Sequence, residues 1–231
     1  MSGTGEQLNF QRARNPEQRE ARRRVILGAA AQLLAESSVS EISLRELARR
    51  VGLSKTNVVR YFETREAVFF ALLNETLDEW LDDLPAELPA ASPAGPPPPD
   101  DVLKALAASL ARRPLICELW SALGTELERN ISTEAVRAFK LTHAELQVRL
   151  AGLLRERIPA LTGPASRELV SLTIVLVAGF WPFANPSPAV VEAVEDPLLA
   201  HSRVDFTDRL GRALLVVVGG LLAADPPTPG T

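Results

Sequence analysis

The sequence predicts an all-α protein of about nine helices, with a small N-terminal head and a larger helical body. Apolar residues recur at helical spacing from about residue 16 to the C-terminal region, and no segment shows convincing strand alternation. Serine, threonine, glycine and proline stand where these periodic segments begin and end, as caps and breakers do. The 231 residues are enough for one or two domains with a sizeable core.

The first helix is predicted from about Pro16 or Glu17 to Glu36. Acidic residues lie near its start, and an apolar stripe follows at helical spacing. That stripe consists of Val25, Ile26, Ala29, Ala30, Leu33 and Leu34.

Residues 42–62, ISLRELARRVGLSKTNVVRYF, predict two short helices joined by a tight turn. Ser43 is a candidate N-cap, and Glu46 three residues later completes a capping box. Gly52 stands where a left-handed residue commonly ends a helix, and Ser54 then caps the second helix. This pattern is typical of a helix-turn-helix, whose second helix enters the major groove of DNA.

The second short helix is predicted over 55–61, with Val58, Val59 and Phe62 facing inward. Its remaining side chains can bond to base edges, and the next helix start suits phosphate oxygens. The alternative is an ordinary helical hairpin whose polar face meets water. The candidate DNA contacts are Ser43, Arg45, Ser54, Lys55, Thr56, Asn57, Arg60, Tyr61, Thr64 and Arg65.

The charge distribution agrees with a nucleic-acid contact in the head. Net charge is −4, but residues 1–65 carry a balance of +5 and the remainder −9. A basic head on an acidic body binds phosphates locally. Residues 1–15 predict a flexible arm whose Arg12 and Arg14 could follow the DNA backbone, and a solvated tail is the alternative.

The run LSKTNVVRYFETREAVFFALL resembles the DNA-binding segment of the tetracycline-repressor (TetR) family. The aromatic pair Tyr61-Phe62, the cap Thr64 and the basic Arg65 carry the resemblance, which covers about residues 19–84. It implies a DNA-binding domain over 1–65 and an effector-binding and dimerisation domain over 66–231.

The fourth helix is predicted from Thr64 to about Leu84, long enough to run from the head into the body. Residues 85–99 are too rich in proline for a helix longer than a turn and predict a surface loop. Helices follow over about 100–112, 114–128, 133–157, 165–180 and 205–223. Pro182 is expected to stop the eighth, and 181–197 to form a loop.

The last two predicted helices are apolar nearly all round, so they are expected to be buried on more than one side. In the resembled family such helices pair with their copies, which implies a homodimer. The candidate dimer residues are Leu172, Val175, Leu176, Leu214, Val217, Val218 and Leu221.

The body of a protein resembling this family is also expected to bind a small effector, here an apolar or aromatic one. His143 is the most informative candidate, because it is polar on a helix otherwise spaced for burial. The alternative is that these residues are ordinary core. The candidates are Trp80, Cys117, Trp120, Phe139, His143 and Trp181.

Other classes of protein find little support. One cysteine and two histidines argue against a disulfide framework and a metal site, and no catalytic or cofactor-binding motif occurs. No apolar run of membrane-spanning length or cleavable leader is found, so a cytoplasmic protein without membrane contact is expected.

We therefore predict a ligand-responsive transcriptional regulator, a repressor, that binds palindromic operator DNA as a homodimer. The alternative is a helix-turn-helix regulator without a small-molecule effector, controlled by a protein partner or by abundance. An enzyme is the weakest interpretation.

Overall fold

The computed structural model describes residues 16–93 and 95–224, without the side chain of Ala200. These residues form ten α-helices and no β-strand, which confirms the predicted all-α class. The predicted arm with Arg12 and Arg14 lies outside the described residues. The helices are α1 (Pro16–Leu34), α2 (Leu44–Arg50), α3 (Lys55–Val59), α4 (Arg65–Glu87), α5 (Pro99–Ala111), α6 (Pro114–Ala122), α7 (Thr133–Arg157), α8 (Gly163–Ala184), α9 (Pro188–Ala193) and α10 (Phe206–Ala224).

The head consists of α1, α2 and α3 packed around the start of α4. Its core is made of side chains spaced as the sequence predicted, including the fully buried Ile26, Leu47 and Val58. Helix α1 ends at Leu34, two residues before the predicted end, and a short 3₁₀ turn at Val39–Glu41 leads into α2.

A Schellman motif forms the turn between α2 and α3. Gly52 has φ of +66°, the left-handed conformation that glycine adopts without strain. The Leu53 amide donates to the Ala48 carbonyl at 2.9 Å, and the Gly52 amide donates to the Arg49 carbonyl at 3.2 Å. These bonds fix the angle at which α3 leaves α2.

Ser43 caps α2 as predicted, because its hydroxyl accepts from the Glu46 amide at 3.1 Å. The reciprocal half of the predicted capping box is wrong. The Glu46 carboxylate instead receives the Arg49 guanidinium at 2.6 and 3.0 Å on the exposed side of the helix.

Helix α4 runs one turn further than predicted and includes Pro85. A proline is tolerated here because it stands in the last turn, so the helix loses one amide donor without being broken in its middle. The Pro85 carbonyl accepts from Arg157 at 3.2 Å, which ties this end of α4 to α7. The proline-rich loop is therefore shorter than predicted and begins after Leu88, since α5 starts at Pro99.

The body is built around α8, which packs against α6, α7 and α10, while α10 also lies on α5. A Cβ added at Gly211 would lie 3.7 Å from the Lys104 backbone, an ordinary van der Waals distance, so this contact does not require a glycine. Gly219 and Gly220 further along α10 lie exposed, with nothing within 4 Å of the position that a Cβ would take.

Helix α8 continues through Pro182 to Ala184, so the prediction that this proline ends the helix is wrong. Trp181 anchors the last turn, because its ring packs edge-on against Phe206 at 5.1 Å. The predicted loop that follows contains the short helix α9, which raises the number of helices to ten in the described chain. By length and composition α8 could cross a membrane, although it packs on three neighbouring helices.

Candidate functional site

The outer edge of α3 presents three consecutive polar side chains. Lys55, Thr56 and Asn57 are all exposed, and they follow directly on the N-cap Ser54. The Ser54 hydroxyl accepts from the Asn57 amide at 3.2 Å, which fixes the start of the helix. The arrangement therefore offers a cation, a hydroxyl with a methyl group and an amide at the end of a helix that can enter a major groove.

The structure changes the predicted interior of α3. Val58 and Phe62 are buried, but Val59 is 43% exposed, so the prediction that it faces inward is wrong. The helix has only five residues, and a position next to Val58 is rotated by about 100° from it. Val59 consequently adds an apolar group to the outer surface, of the kind that contacts a thymine methyl. Sequence reasoning missed it.

Two arginines of α1 contact Tyr61. The Arg23 guanidinium donates to the Tyr61 carbonyl at 2.9 Å and lies 4.3 Å from the centre of the Phe62 ring. Arg22 approaches the Tyr61 hydroxyl at 3.5 Å. Half-buried Tyr61 therefore has its position set by α1, and Arg23 is a positioning residue that no local pattern indicated.

The predicted DNA contacts fall into two groups. Ser43, Ser54 and Thr64 each use the side-chain oxygen as a helix cap, with Thr64 accepting from the Ala67 amide at 3.2 Å. Arg45, Lys55 and Arg60 are exposed, and none forms an ion pair with the described residues. The side chains of the second group, like those of Thr56 and Asn57, are therefore free to contact DNA.

Arg65 lies between these groups. One guanidinium nitrogen is within 3.0–3.3 Å of the carbonyl oxygens of Val39, Ser40 and Ile42, and another bonds to Glu66 at 2.9 Å. The side chain thereby joins the start of α4 to the turn before α2. These internal bonds give Arg65 a structural role, and its contact with a phosphate stays a prediction.

The head and body meet at a cleft beside Tyr61 and Glu63. The cleft has a volume of about 430 Å³, and its walls include Phe70 and Asn74 of α4 and Phe139 of α7. At its edge, the Ser132 hydroxyl donates to Glu63 at 2.9 Å. This bond joins the segment that follows α3 directly to the start of α7.

The six predicted effector residues lie in three places. Phe139 stacks on Phe70 with ring centres 4.1 Å apart and lines the head–body cleft. Trp181 borders a separate crevice of about 160 Å³ between α1 and α6, and its indole N–H donates to Glu118 at 3.2 Å. The remaining four are buried in the centre of the body.

Trp80, Trp120 and His143 surround a small cavity in the body, here called the core cavity, which lies between α4, α6, α7 and α8. Its volume is about 10 Å³, room for roughly one water molecule. Cys117 does not line it. Burial raises the pKa of the Cys117 thiol to about 12, and the thiol donates to the Leu110 carbonyl, as expected for a packing residue.

His143 is buried and neutral. Its Nδ1 lies 3.0 Å from the amide oxygen of Asn74, a partner that the sequence did not indicate. Burial lowers the pKa of His143, the nearby Lys140 charge adds to this effect, and together they bring it to about 4. The imidazole therefore acts at neutral pH as a hydrogen-bonding group without charge.

Some of the predicted dimer residues are buried inside the protomer, and others are exposed or half-buried. Leu214 and Val218 are buried inside the protomer, at 0% and 2% exposure, so the prediction that they face a partner is corrected. They pack where α10 lies on the rest of the body. Val175 is 63% exposed, while Leu172, Leu176, Val217 and Leu221 are half-buried.

Two exposed apolar residues near that set were missed. Val216 is 75% exposed on α10, and Phe183 is 70% exposed at the end of α8. Together with Val175 they are large apolar side chains left exposed on two helices that pack on each other, and the three are here called the α8–α10 face. Periodicity placed α8 and α10 as buried on several sides, but it could not say which side the protomer itself covers.

Two family models account for most of the chain. Residues 26–72 match the model described as bacterial regulatory proteins of the tetR family. Residues 74–225 match the model described as the tetracyclin repressor-like C-terminal domain. The two matches meet inside α4.

Individual relatives agree with these models. The HTH-type transcriptional regulator RutR of Escherichia coli K12 is 36% identical over 58 residues, which span 25% of this chain and 27% of RutR. A TetR transcriptional regulator from Rhodococcus sp. RHA1 has the same fold, with a TM-score of 0.55 and 18% identity over 90% of this chain and 98% of that one. The FadR regulator of Bacillus subtilis, solved with stearoyl-CoA, has a TM-score of 0.50 and 16% identity over 85% and 98% of the two chains.

Proposed function

The chain belongs to the TetR family of bacterial regulatory proteins, and from this we propose that it is a cytoplasmic repressor that binds palindromic operator DNA as a homodimer and is released by a small molecule. Members of this family bind operator DNA as dimers. The observation that carries the proposal is the exposed edge of α3, where the side chains of Lys55, Thr56 and Asn57 form no hydrogen bond or ion pair with the described residues.

The α3 edge supports base reading because its three side chains differ in chemistry. Lysine bonds to the acceptors of guanine, asparagine to both groups of adenine, and threonine to either a polar edge or a thymine methyl. Val59 extends the same surface with an apolar group. Arg45 and Arg60 lie beside it as cations for phosphate oxygens, which position a protein on DNA without reading sequence.

The α8–α10 face supports the proposed homodimer. Val175, Phe183 and Val216 leave large apolar side chains exposed on helices whose other sides are already packed. A second copy of the same face would cover them, and two-fold symmetry makes such a contact self-complementary. A dimer of this kind presents two α3 edges to half-sites about 34–36 Å apart.

Release by a small molecule is proposed from the body. Helix α4 reaches from the head to the core cavity, where Trp80 and His143 lie. A ligand that binds one setting of α4 better than the other would change the spacing of the two heads and lower DNA affinity. The B. subtilis FadR structure holds stearoyl-CoA, so a protein of this fold accommodates an effector.

One observation favours a second candidate function, a DNA-binding regulator without a small-molecule effector. The core cavity has a volume of only about 10 Å³, whereas drug-sized ligands occupy roughly 300–1,000 Å³. An effector that binds in the core cavity must therefore open it by repacking aliphatic side chains. In the alternative, a protein partner or abundance controls DNA binding and the core stays closed.

The deciding experiment measures binding of the purified full chain to the DNA upstream of and around its own gene, across a salt series. We expect nanomolar, salt-sensitive binding to a short palindrome by two protomers or by a pair of dimers. A fragment of equal length with the palindrome scrambled is the control. Binding no stronger to the palindrome than to the scrambled fragment would contradict the proposal. A compound library that never releases the DNA would favour the second function.

A further inference from the structure

The three tryptophans of the body differ in what their indole N–H groups bond to. Trp80 donates to the Ser109 hydroxyl at 2.8 Å, and Trp181 donates to the Glu118 carboxylate at 3.2 Å. Trp120 is only 3% exposed, yet its N–H finds no acceptor among the described residues. A buried donor without a partner costs free energy, so such groups are rare in folded proteins. Trp120 is also one of the residues that line the core cavity.

His143 lines the same cavity and has an unpaired Nε2 among the described residues, and its contact with Asn74 determines that this atom is an acceptor. The Asn74 amide nitrogen donates to the Phe139 carbonyl at 3.3 Å, so the Asn74 amide oxygen is the atom that faces His143. An amide oxygen only accepts, and the histidine Nδ1 beside it must therefore carry the proton. In a neutral imidazole, Nε2 is then a bare acceptor, and it has no partner among the described residues.

The rest of the core cavity is apolar. Among the residues that the structure describes, no Asp, Glu, Lys or Arg lines it. Its polar lining consists of Trp120, His143 and the half-buried Gln147, together with the satisfied indole of Trp80. The aliphatic wall is made of Leu77, Leu81, Leu146, Leu150, Val170 and Ile174. An ionised ligand would lose its hydration here without gaining an opposite charge, whereas an uncharged apolar one would not.

We propose that the core cavity is the site at which the effector is recognised, and that it takes an uncharged, largely apolar ligand carrying a hydroxyl group, such as a phenol. The hydroxyl oxygen accepts from the Trp120 N–H, and the hydroxyl hydrogen is donated to His143 Nε2. A hydroxyl satisfies both orphaned atoms at once, and it replaces the single water that the volume of about 10 Å³ would hold. The apolar part of the ligand displaces the aliphatic wall. This inference rests on the proposed effector-responsive function.

The ligand would act on α4 and α7 together, because its hydroxyl bonds to His143, and His143 is part of the contact between these two helices. His143 of α7 is joined to Asn74 of α4, and Asn74 is joined back to the Phe139 carbonyl. Phe139 stacks on Phe70 at the wall of the head–body cleft. A shift of His143 toward a bound hydroxyl is thus passed to the side of the body that meets the head.

The test compares four probes that share a propyl-substituted ring and differ at one position. Para-propylphenol donates and accepts, its methyl ether only accepts, propylbenzene does neither, and para-propylbenzoate carries a charge. Titration calorimetry on the full chain gives the affinities, and fluorescence of Trp80 and Trp120 provides a second signal. We expect the phenol to bind at least about tenfold more tightly than each of the other three.

Variants locate the preference in the core cavity. In Trp120→Phe and in His143→Leu we expect the preference for the phenol over its ether to fall below about threefold. Trp181→Phe is the matched control, since it removes an indole that lies outside the core cavity, and it should keep the full preference. Circular dichroism melting shows which variants fold, and the conservative Trp120→Phe change keeps the test valid if His143→Leu does not.

A direct readout of the tautomer does not depend on any ligand. The chain has two histidines, so nitrogen NMR of the protein and of a His201→Gln variant identifies His143. We expect an unprotonated Nε2 whose signal moves with the phenol and not with propylbenzene. A protonated Nε2, equal affinity for phenol and propylbenzene, stronger binding of the benzoate, or no binding of any probe up to its solubility would each overturn the proposal.

The outcome is separable from that of the proposed function, because DNA binding is measured on the same preparations. Operator binding without a phenol preference would overturn this inference alone. A compound that releases DNA equally well from the native chain, Trp120→Phe and His143→Leu would also overturn it, while supporting the regulator.

Discussion

The Ser132 hydroxyl donates to the Glu63 carboxylate at 2.9 Å across 69 residues of sequence, and so links the segment after α3 to the cap of α7. Ser132 also caps α7 by accepting from the Ala135 amide at 3.2 Å, so Glu63 is the better position at which to break the link alone.

We expect Glu63→Ala to loosen the head from the body without unfolding either. Both groups are at the surface, so the free energy of unfolding should change by less than about 1 kcal/mol. Amide hydrogen exchange of residues 60–64 should accelerate several-fold, because local opening becomes easier. Glu79→Ala, an exposed change on α4, is the control. Unchanged exchange relative to that control would show that the link does not restrain the head.

Removing the amide of Asn57 should weaken reading of the operator. We expect Asn57→Ala to cost about 1–3 kcal/mol of binding free energy on the cognate palindrome and to relax the preference for one base pair in each half-site. Electrophoretic mobility shifts on a set of single-base operator variants measure both effects. Asn130→Ala, an exposed asparagine in the body, should change neither, and an equal loss on every operator variant would indicate a contact that does not read bases.

Arg65 and Arg45 should behave differently although both are arginines in the head. Arg65→Gln leaves the carbonyl oxygens of Val39, Ser40 and Ile42 without their cation, and we expect about 2–3 kcal/mol of lost stability in urea denaturation. Arg45→Gln should change stability by less than about 0.5 kcal/mol and lower the salt dependence of DNA binding. The reverse pattern would restore Arg65 as a phosphate contact.

A charge on the α8–α10 face should prevent dimerisation. Val216 is 75% exposed in the protomer, so Val216→Glu can fold, but a buried carboxylate in the dimer would be unpaired. We expect monomers in analytical ultracentrifugation and weaker operator binding. Val148→Glu on α7, where the valine is 61% exposed, is the matched control and should remain dimeric. Dimers of Val216→Glu at the same concentration would place the interface elsewhere.

Stability should fall as the pH falls from about 6.5 to about 4, because His143 is held neutral in the folded state. Its pKa in the folded state is lowered to about 4, so as the pH falls the unfolded chain binds the proton first. The free energy of unfolding therefore decreases throughout this pH range. The shift corresponds to about 3 kcal/mol. Urea denaturation at fixed protein concentration should show this loss in the native chain and in His201→Gln, but not in His143→Gln. An equal pH dependence in all three would contradict the assignment.

The head was predictable because its signals are local. Ser43, Gly52, Ser54 and Thr64 each act on a backbone group within about one helical turn, so the sequence around them already contains their partners. The body helices were predictable for a similar reason, because their apolar period is a local property.

The roles of Arg65, Asn74 and Glu63 were not predictable, because their partners lie 23–69 residues away in the chain. Val59 and Leu214 were assigned to the wrong side for a related reason. When a helix is very short or apolar on all sides, the sequence does not show whether a given valine or leucine faces the core or the surface. Pro85 and Pro182 were read as helix ends, yet packing of Arg157 and Trp181 near them keeps each helix going for its last residues.

Helix α4 begins at the head and ends in the body, so its length determines how the head is rotated relative to the body. Each residue of an α-helix turns the chain by about 100° and advances it by about 1.5 Å. One residue inserted into the middle of α4 would therefore swing the α3 edge to another side of the molecule while leaving both parts folded. Heads and bodies of related proteins can be exchanged only when this helix keeps its length, or changes it by nearly whole turns.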